Sequence, residues 1–547
     1  MKDIFEKYIA SISNKFANED TSEMGYRTEF EVLLKGIFES INVQPIGHDD
    51  KAKGGNKPDF AVKKNGIPIL YIEAKDIGVS LDKVEKSEQM KRYFGYANLV
   101  LTDYTEFRFY RNGLQYEQPI KIAEYDLKIR RISALPENFV HVAKSLLDFA
   151  QSHKEPIKSG KHLSKIMGGK AQRIRDNVKQ FLATKSDKNI ELVRVYEAIK
   201  KLLVHDLTHE SFADMYAQTL VYGLFVARYH DKTPKDFSRA EARDLVPKSN
   251  PLLQHFFDHI VGPHFDDRLK YIVDELCVVF SHANVEDLMK EYFKDDLWGK
   301  THKDPDPVIH FYEDFLKEYD DALRKKMGAY YTPLPVVQFI VRSVDYLLEN
   351  EFGLAAGLAD TSKTEDGIHR VQILDPAVGT GTFFSDVVGK IYTRIKKTKQ
   401  EGRWPTYVHH DLLPRLHGFE IMMTPYTIAH LKMAMAFEKT GFKYFNQRLG
   451  IYLTNALDQS DKQEDLLSFG FAESIAEESK KASVIKNETP IMVVVGNPPY
   501  SVSSSNKGDW IQNLIKVYKQ DLNEKKINLD DDYIKFIRFA EHFIEKK

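Results

Sequence analysis

One cysteine in 547 residues leaves no partner for an intrachain disulfide and no set of thiolates for a zinc site. That residue, Cys277, lies in the apolar stretch Leu276-Cys277-Val278-Val279-Phe280 and reads as core. No apolar run approaches the roughly 18 residues of a membrane span. The start, Met1-Lys2-Asp3-Ile4-Phe5-Glu6, is amphipathic and acidic where a secretory signal needs a basic segment and an apolar block, so a cytoplasmic location is expected. A formal net charge of −2 excludes nucleic-acid binding by bulk electrostatics, and any DNA site must be a local patch. No GxxxxGK[ST] segment occurs, which argues against a nucleoside-triphosphate site and a helicase motor. Internal repeats and low-complexity tracts are also missing. What remains is an ordinary globular composition, 42% hydrophobic and 29% charged. A chain of this length exceeds one hydrophobic core, and about three to four folding units are expected.

The pattern changes twice along the chain. Residues 1–150 begin helical and turn strand-rich, with short runs at 58–64, 67–75, 98–102 and 107–111, the signature of a compact α/β unit. Residues 151–300 are helical, as at 189–203 and 211–229, and read as a connector. From 301 to 547, helices alternate with apolar strands at 371–374, 416–419, 451–453 and 491–495, the rhythm of a parallel, doubly wound sheet. Two polar or mixed stretches, 354–367 and 459–488, interrupt that rhythm and are expected as surface loops.

In the first unit, Pro58-Asp59 is followed by Glu73-Ala74-Lys75 at the end of the apolar strand Ile69-Leu70-Tyr71-Ile72. Side chains on a strand alternate, so Glu73 and Lys75 share one face. Whether Asp59 joins them depends on the hairpin marked by Asn65-Gly66. A two-residue turn would set Asp59 opposite Ile72, on the wrong face. A three-residue loop with Gly66 left-handed pairs Asp59 with Tyr71 and brings it to the Glu73 face, so a bulged turn is expected. Two such carboxylates, Asp59 and Glu73, suit Mg²⁺, which retains several waters near a phosphodiester, while Lys75 would orient water and offset phosphate charge. A bare match of this kind is also compatible with a strand-end salt bridge. The arrangement resembles the PD-(D/E)xK nuclease superfamily, and the resemblance extends to Glu29 on an early helix as a further metal ligand. Gln89-Met90-Lys91-Arg92-Tyr93 resembles the QxxxY element of single-chain, Type I and Type ISP restriction nucleases, which implies a catalytic role for Gln89.

In the last unit, Val371-Gln372-Ile373-Leu374-Asp375-Pro376-Ala377-Val378-Gly379-Thr380-Gly381 reads as strand, glycine turn and helix start. Asn497-Pro498-Pro499-Tyr500, directly after the apolar run 491–495, is the most specific feature of the chain. Adenine's exocyclic amine is a poor nucleophile because its lone pair is delocalised into the ring, so acceptors must draw its hydrogens out of plane. Asn497 and the Pro498 carbonyl are the residue types for this, two prolines stiffen the loop, and Tyr500 offers a face for stacking a flipped base. These residues resemble the (D/N)PPY signature of amino-methyltransferases, and the motif order resembles the γ class of N6-adenine DNA methyltransferases. The resemblance implies S-adenosylmethionine as cofactor and double-stranded DNA as substrate. It places Tyr331, Thr332 and Pro333, within Lys326-Met327-Gly328-Ala329-Tyr330-Tyr331-Thr332-Pro333, against the methionine part, and Asp375, Pro376, Gly379 and Gly381 around the cofactor. Glu420, ending the strand Leu416-His417-Gly418-Phe419, is expected on the ribose hydroxyls. Asn455 matches a position usually held by an adenine-binding Asp, and Asp458 is the alternative.

The whole chain thus resembles single-chain restriction-modification enzymes of the Type IIG and Type ISP kinds, found in prokaryotes. Phe212-Ala213-Asp214-Met215-Tyr216-Ala217-Gln218-Thr219 resembles part of their connector, although helical packing also accounts for it. Basic residues across 154–175 serve either phosphate contact or a solvated linker. After Tyr500 only 47 residues remain, with 533–540 resembling the helix after the catalytic loop. A target-recognition domain or subunit, which reads base edges, is therefore expected from elsewhere, with weak site-selective DNA binding by this polypeptide alone. The alternatives are a methyltransferase whose nuclease-like domain only holds DNA, and a non-catalytic subunit or remnant.

Overall fold

The structure is a computed structural model that describes residues 2–18, 23–39, 44–47, 58–64, 67–94, 96, 98–111, 113–151, 157, 159–184, 190–231, 233, 237–247, 249–263, 265–290, 307–326, 332–459, 471–499, 504–520, 522 and 527–545. These residues form a mixed α/β protein of two compact units. One comprises Met1–Asp176, His282–Pro305 and His310–Asp320, and the other Asn177–Ser281, Asp306–Ile309 and Asp321–Lys547. The helical stretch at 151–300 is thus divided, with 177–281 belonging to the unit of the C-terminal sheet.

In the first unit, β1 (Gln44–Gly47), β2 (Phe60–Lys64), β3 (Ile67–Ala74), β4 (Asn98–Thr102), β5 (Glu106–Arg111) and β6 (Leu114–Gln115) lie side by side in chain order. β7 (Ile120–Lys121) also pairs with β5, while β8 (Ala123–Asp126) and β9 (Arg131–Ala134) make a separate hairpin. β3 and β4 are parallel, and their neighbours pair antiparallel. The sequence runs read as strands coincide with β2 to β5. Leu70, Ile72 and Ala74 of β3 turn to a core shared with Phe5, Ile12, Phe30 and Leu146 from the helices Lys2–Ala17, Glu23–Phe38 and Phe139–Gln151. Period two then sends Tyr71 and Glu73 to the opposite face.

The β2–β3 register corrects the expected loop. Lys64 pairs with Ile67 and Lys63 with Pro68, the register of a two-residue connection, although residues 65–66 lie outside the described residues. The next pair is Val62 with Leu70, so Ile69 is an extra residue on β3, and Phe60 then pairs with Ile72. Continuing this register sets Asp59 opposite Glu73, not Tyr71. Parity is restored by a bulge inside the ladder, because one extra residue anywhere between the turn and Asp59 changes the face it takes.

The second unit is built on β10 (Ile373–Asp375), β11 (Leu416–Glu420), β12 (Ile451–Leu453) and β13 (Val493–Val494), all parallel, in the spatial order β12-β11-β10-β13. Helices cover the sheet, which is why its strands read as continuous apolar runs. Leu374 and Phe419 pack with Ile485 of the helix Phe471–Glu488, Ile511 of Asp509–Lys519 and Phe539 of Asp532–Glu545. From β10 the chain steps outward to β12 and then returns to the far side of β10 as β13. The order therefore reverses between β10 and β13, and in open parallel sheets ligands bind in the crevice at the carboxyl ends of strands at such a point.

The loop expected over 459–488 is also corrected. Residues 460–470 lie outside the described residues, but Phe471–Glu488 is a helix burying Phe471, Ile475, Ala482 and Ile485. Its polar content concealed the pattern because two charged residues share the buried face. Glu478 accepts from Arg448 at 2.6 and 2.9 Å and from the Leu453 amide at 3.1 Å, and the Lys486 ammonium meets three oxygens. Buried charge is tolerated when so completely bonded.

Cys277 is buried, and burial raises its thiol pKa. It is expected to resist Ellman's reagent in the native protein and to react once in denaturant. Among the described residues no helix is long and apolar enough to cross a membrane.

Candidate functional site

Three features meet at the β10–β13 crevice. After Asp375 the chain makes a tight turn in which Gly379 and Gly381 have φ of +54° and +83°, conformations that cost other residues strain. Gly381 caps the helix Thr382–Lys397, and the Val378 amide donates to the Phe419 carbonyl at 2.9 Å, joining the turn to β11. Glu420, the last residue of β11, accepts from the backbone amides of Gly379 at 2.9 Å, Ile421 at 2.9 Å and Met422 at 2.8 Å. Burial raises its pKa to about 7 against these hydrogen bonds. Asp375 is fully buried, and burial, with a smaller contribution from Glu420, raises its carboxyl to about 8. One of its oxygens accepts from the Ala377 amide at 3.1 Å, and Oδ2 has no hydrogen-bond partner among the described residues. A buried polar oxygen left without a partner is costly, so this crevice suits a ligand that brings one.

β13 delivers the second motif to the same place. Val495 donates to the Leu374 carbonyl at 2.9 Å, so the segment beginning at Gly496 leaves the sheet beside Asp375. A Cβ on Gly496 would lie 2.5 Å from Asp375 Oδ1, so only glycine allows this approach. Asn497 and Pro498 follow, half-buried, and Tyr500 lies outside the described residues. Gly496 was not singled out from the sequence, although its position directly before Asn497 was a usable signal. Gly496→Ala is expected to lower stability by about 1–3 kcal/mol through overpacking, read as a fall in Tm.

The remaining expected cofactor residues are less concentrated. Asn455 donates to Leu203 O at 3.3 Å and Asn506 Oδ1 at 2.9 Å and accepts from the Leu457 amide at 3.0 Å, so its amide group braces the loop. Asp458 keeps a partly exposed carboxylate 3.0 Å from His205 Nε2. Beneath both, the Lys486 ammonium donates to Thr454 Oγ1 and to the carbonyls of Asn455 and Asp458, and burial lowers its pKa to about 7. Thr332 and Pro333 lead into the helix Leu334–Asn350, with Pro333 as its cap, and Tyr331 lies outside the described residues.

The first unit holds a separate cluster. Glu73 Oε1 accepts from Lys75 Nζ at 2.5 Å and from Gln89 Nε2 at 3.0 Å, and Gln89 also reaches the Tyr93 hydroxyl at 3.2 Å. Burial first, and the charge of Asp59 second, raise the Glu73 pKa to about 8, with Lys75 opposing. Asp59 Oδ2 accepts from the Ala74 amide at 2.8 Å, and its Oδ1 lies 3.1 Å from Arg27. Asp59, Glu73, Lys75 and Gln89 are therefore together. Glu29 instead meets Lys15 at 2.9 Å. Residues two apart on a helix point about 200° apart, so with Arg27 turned to Asp59, Glu29 points elsewhere. Arg27 was not legible as a site residue because a helix-face arginine carries no local signal of its distant partner. Among the described residues no group of three or more His, Cys, Asp and Glu side chains could hold a metal ion.

No curated protein matches the chain. Among solved structures, a cryo-EM structure of a DrdV–DNA complex aligns with 100% of this chain and 49% of its own at 21% identity and a TM-score of 0.48. The ATP-dependent Type ISP restriction-modification enzyme LlaBIII bound to DNA aligns with 71% of this chain and 24% of its own, at 22% identity and a TM-score of 0.49. The chain thus spans about half the length of the first and a quarter of the second. Residues 303–541, which include β10 to β13, the glycine turn and the Asn497-Pro498-Pro499-Tyr500 segment, match the N-6 DNA methylase family.

Proposed function

We propose that the chain transfers a methyl group from S-adenosylmethionine to the N6 atom of a flipped-out adenine in double-stranded DNA, and that its N-terminal unit is a Mg²⁺-dependent DNA endonuclease of the same restriction-modification polypeptide. The observation that carries the first part is the meeting of Asp375, the Gly379–Gly381 turn and Gly496-Asn497 at the point where strand order reverses. S-adenosylmethionine, when bound, supplies an electrophilic methyl group. Glu420, pre-oriented by three backbone donors, would accept the ribose hydroxyls, and the open Oδ2 of Asp375 would pair with a polar atom of the ligand. Of the alternative pair, Asp458 is the better candidate for the adenine end, since the amide group of Asn455 is engaged within the protein. The Asn497 side-chain oxygen and the Pro498 carbonyl would accept the two amine hydrogens, restoring the nitrogen lone pair. Tyr500 would stack on the extruded base.

The second part rests on two carboxylates brought opposite each other by the Ile69 bulge, with Lys75 beside them. Burial first, and the charge of Asp59 second, raise the Glu73 pKa, and a divalent cation held by Asp59 and Glu73 would offset the second of these, which is the chemistry of an Mg²⁺ site. A bound cation would supply charge neutralisation at the scissile phosphate. Lys75 would add positive charge there, and Gln89 would hold Glu73 in place. Calorimetry with S-adenosylmethionine, followed by transfer of labelled methyl to DNA, tests the first part: no saturable binding to the chain would sink it. Incubation of unmodified DNA with and without Mg²⁺ tests the second.

A further inference from the structure

We infer that the β8–β9 hairpin is a duplex-DNA contact of the N-terminal unit, with Leu127 and Ile129 set against the groove and Lys128 and Arg131 against phosphates. This rests on reading the Asp59–Glu73–Lys75 cluster as a nuclease centre. The tip, Leu127-Lys128-Ile129-Arg130, is held by Asp126, whose Oδ1 accepts from the amides of Lys128 at 2.7 Å and Ile129 at 3.2 Å. Leu127 and Ile129 are 57% and 67% exposed on this short turn, and Val79 is 39% exposed. Scattered exposed aliphatics need no explanation, but Leu127 and Ile129 lie two residues apart on one turn, and Leu127 abuts the loop that carries Val79. A Cβ on Gly78 would lie 2.8 Å from Leu127 Cδ2, so the tip rests directly on the Lys75–Val79 loop that leaves the carboxylate cluster.

The charges fit the same partner. Lys128 and Arg131 are exposed and have no ion pair among the described residues. Arg130 has a φ of +46°, a left-handed conformation that glycine would adopt at no steric cost, and its guanidinium donates to the Asn18 carbonyl at 3.1 Å. The hairpin is thereby tied to the end of the first helix and kept rigid beside the cluster. A rigid apolar tip flanked by cations matches how side chains wedge between base steps while phosphates are neutralised.

The test uses the full chain and short duplexes carrying 2-aminopurine at several positions, in Ca²⁺ to prevent cleavage. Wild type is expected to raise the emission. Leu127→Thr with Ile129→Thr is expected to abolish the rise and lower Mg²⁺-dependent cleavage about tenfold. Lys128→Gln with Arg131→Gln is expected to reduce the slope of log K against log salt by about 1.8, and this variant decides the matter if the apolar change disturbs folding. Unchanged emission and an unchanged salt slope in the variants would overturn the inference. So would a wild-type chain that self-associates in sedimentation through Leu127 and Ile129, which would make the tip a contact with a second copy. If wild type raises emission yet cuts nothing in Mg²⁺, the nuclease reading fails while the DNA contact stands.

Discussion

Glu420→Gln is expected to weaken S-adenosylmethionine binding about a hundredfold at pH 8. The carboxylate is already aimed by the Gly379, Ile421 and Met422 amides, so little ordering is needed on binding. Hydrogen bonds to a charged acceptor are worth about 1.5–3 kcal/mol each, and every 1.4 kcal/mol is a factor of ten. Two ribose hydroxyls would exceed a hundredfold by that measure, but Oε1 already accepts from the Ile421 and Met422 amides and Oε2 from that of Gly379, which places the expectation at the lower end. Calorimetry reads the affinity directly, and an unchanged value would remove Glu420 from the cofactor site.

The same residue sets a pH dependence. Burial lifts the Glu420 carboxyl from 4.5 to about 7, and its ionised form is the one that accepts both hydroxyls. Binding should strengthen as pH rises through about 7, and Glu420→Gln should flatten that profile. The ligand-free fold should behave oppositely. A folded pKa raised above the unfolded value gives stability that is fully present below 4.5 and is lost as pH rises through about 7. Asp375, raised from 3.8 to about 8, acts in the same direction over a window extending higher. Thermal melts from pH 5 to pH 8 should therefore show the Tm of ligand-free wild type falling relative to that of Glu420→Gln, with S-adenosylmethionine restoring wild type the most at the upper end.

Lys75→Ala is expected to lower Mg²⁺-dependent DNA cleavage about a thousandfold while leaving S-adenosylmethionine binding unchanged. Electrostatic stabilisation of a phosphoryl transition state by a single positioned donor reaches this size in a water-poor site. Lys75 is half-buried, and its ammonium sits 2.5 Å from Glu73, where a neutral water would not replace its charge. Loss of the cation also leaves Glu73 facing Asp59 with Gln89 as its remaining donor among the described residues, which should raise its pKa further. A time course of supercoiled DNA nicking measures the rate. Equal rates in wild type and variant would show that Lys75 takes no part in cleavage. DNA binding by wild type without any cleavage would favour the alternative in which this unit only holds DNA.

Local signals made part of this legible. Strands β2 to β5 and β10 to β13 were readable because alternating or continuous apolar runs depend only on neighbouring residues. The Asp375–Gly381 turn and the Asn497–Tyr500 segment were readable for the same reason, since glycine and proline restrict the backbone wherever they stand. The helix Phe471–Glu488 was not, because its buried Glu478 and Lys486 are stable only with Arg448 and the β12 loop as partners, all remote in sequence. The bonds of the Asn455 amide to Leu203 and Asn506 were likewise not legible, because both partners are remote in sequence.

The amino-acid sequence by itself determined which segments are strands, which turn is glycine-bound and which residue types carry acid, base and acceptor chemistry, since each follows from short-range geometry. Tertiary structure alone decided which of them meet. The bulge at Ile69 puts Asp59 opposite Glu73, the return of β13 to the far side of β10 puts Gly496 against Asp375, and helix rotation gives Asp59 Arg27 as its partner. Such meetings depend on ladder register, strand order and helix facing, which are set by packing over the whole unit and leave no trace in any one stretch of chain.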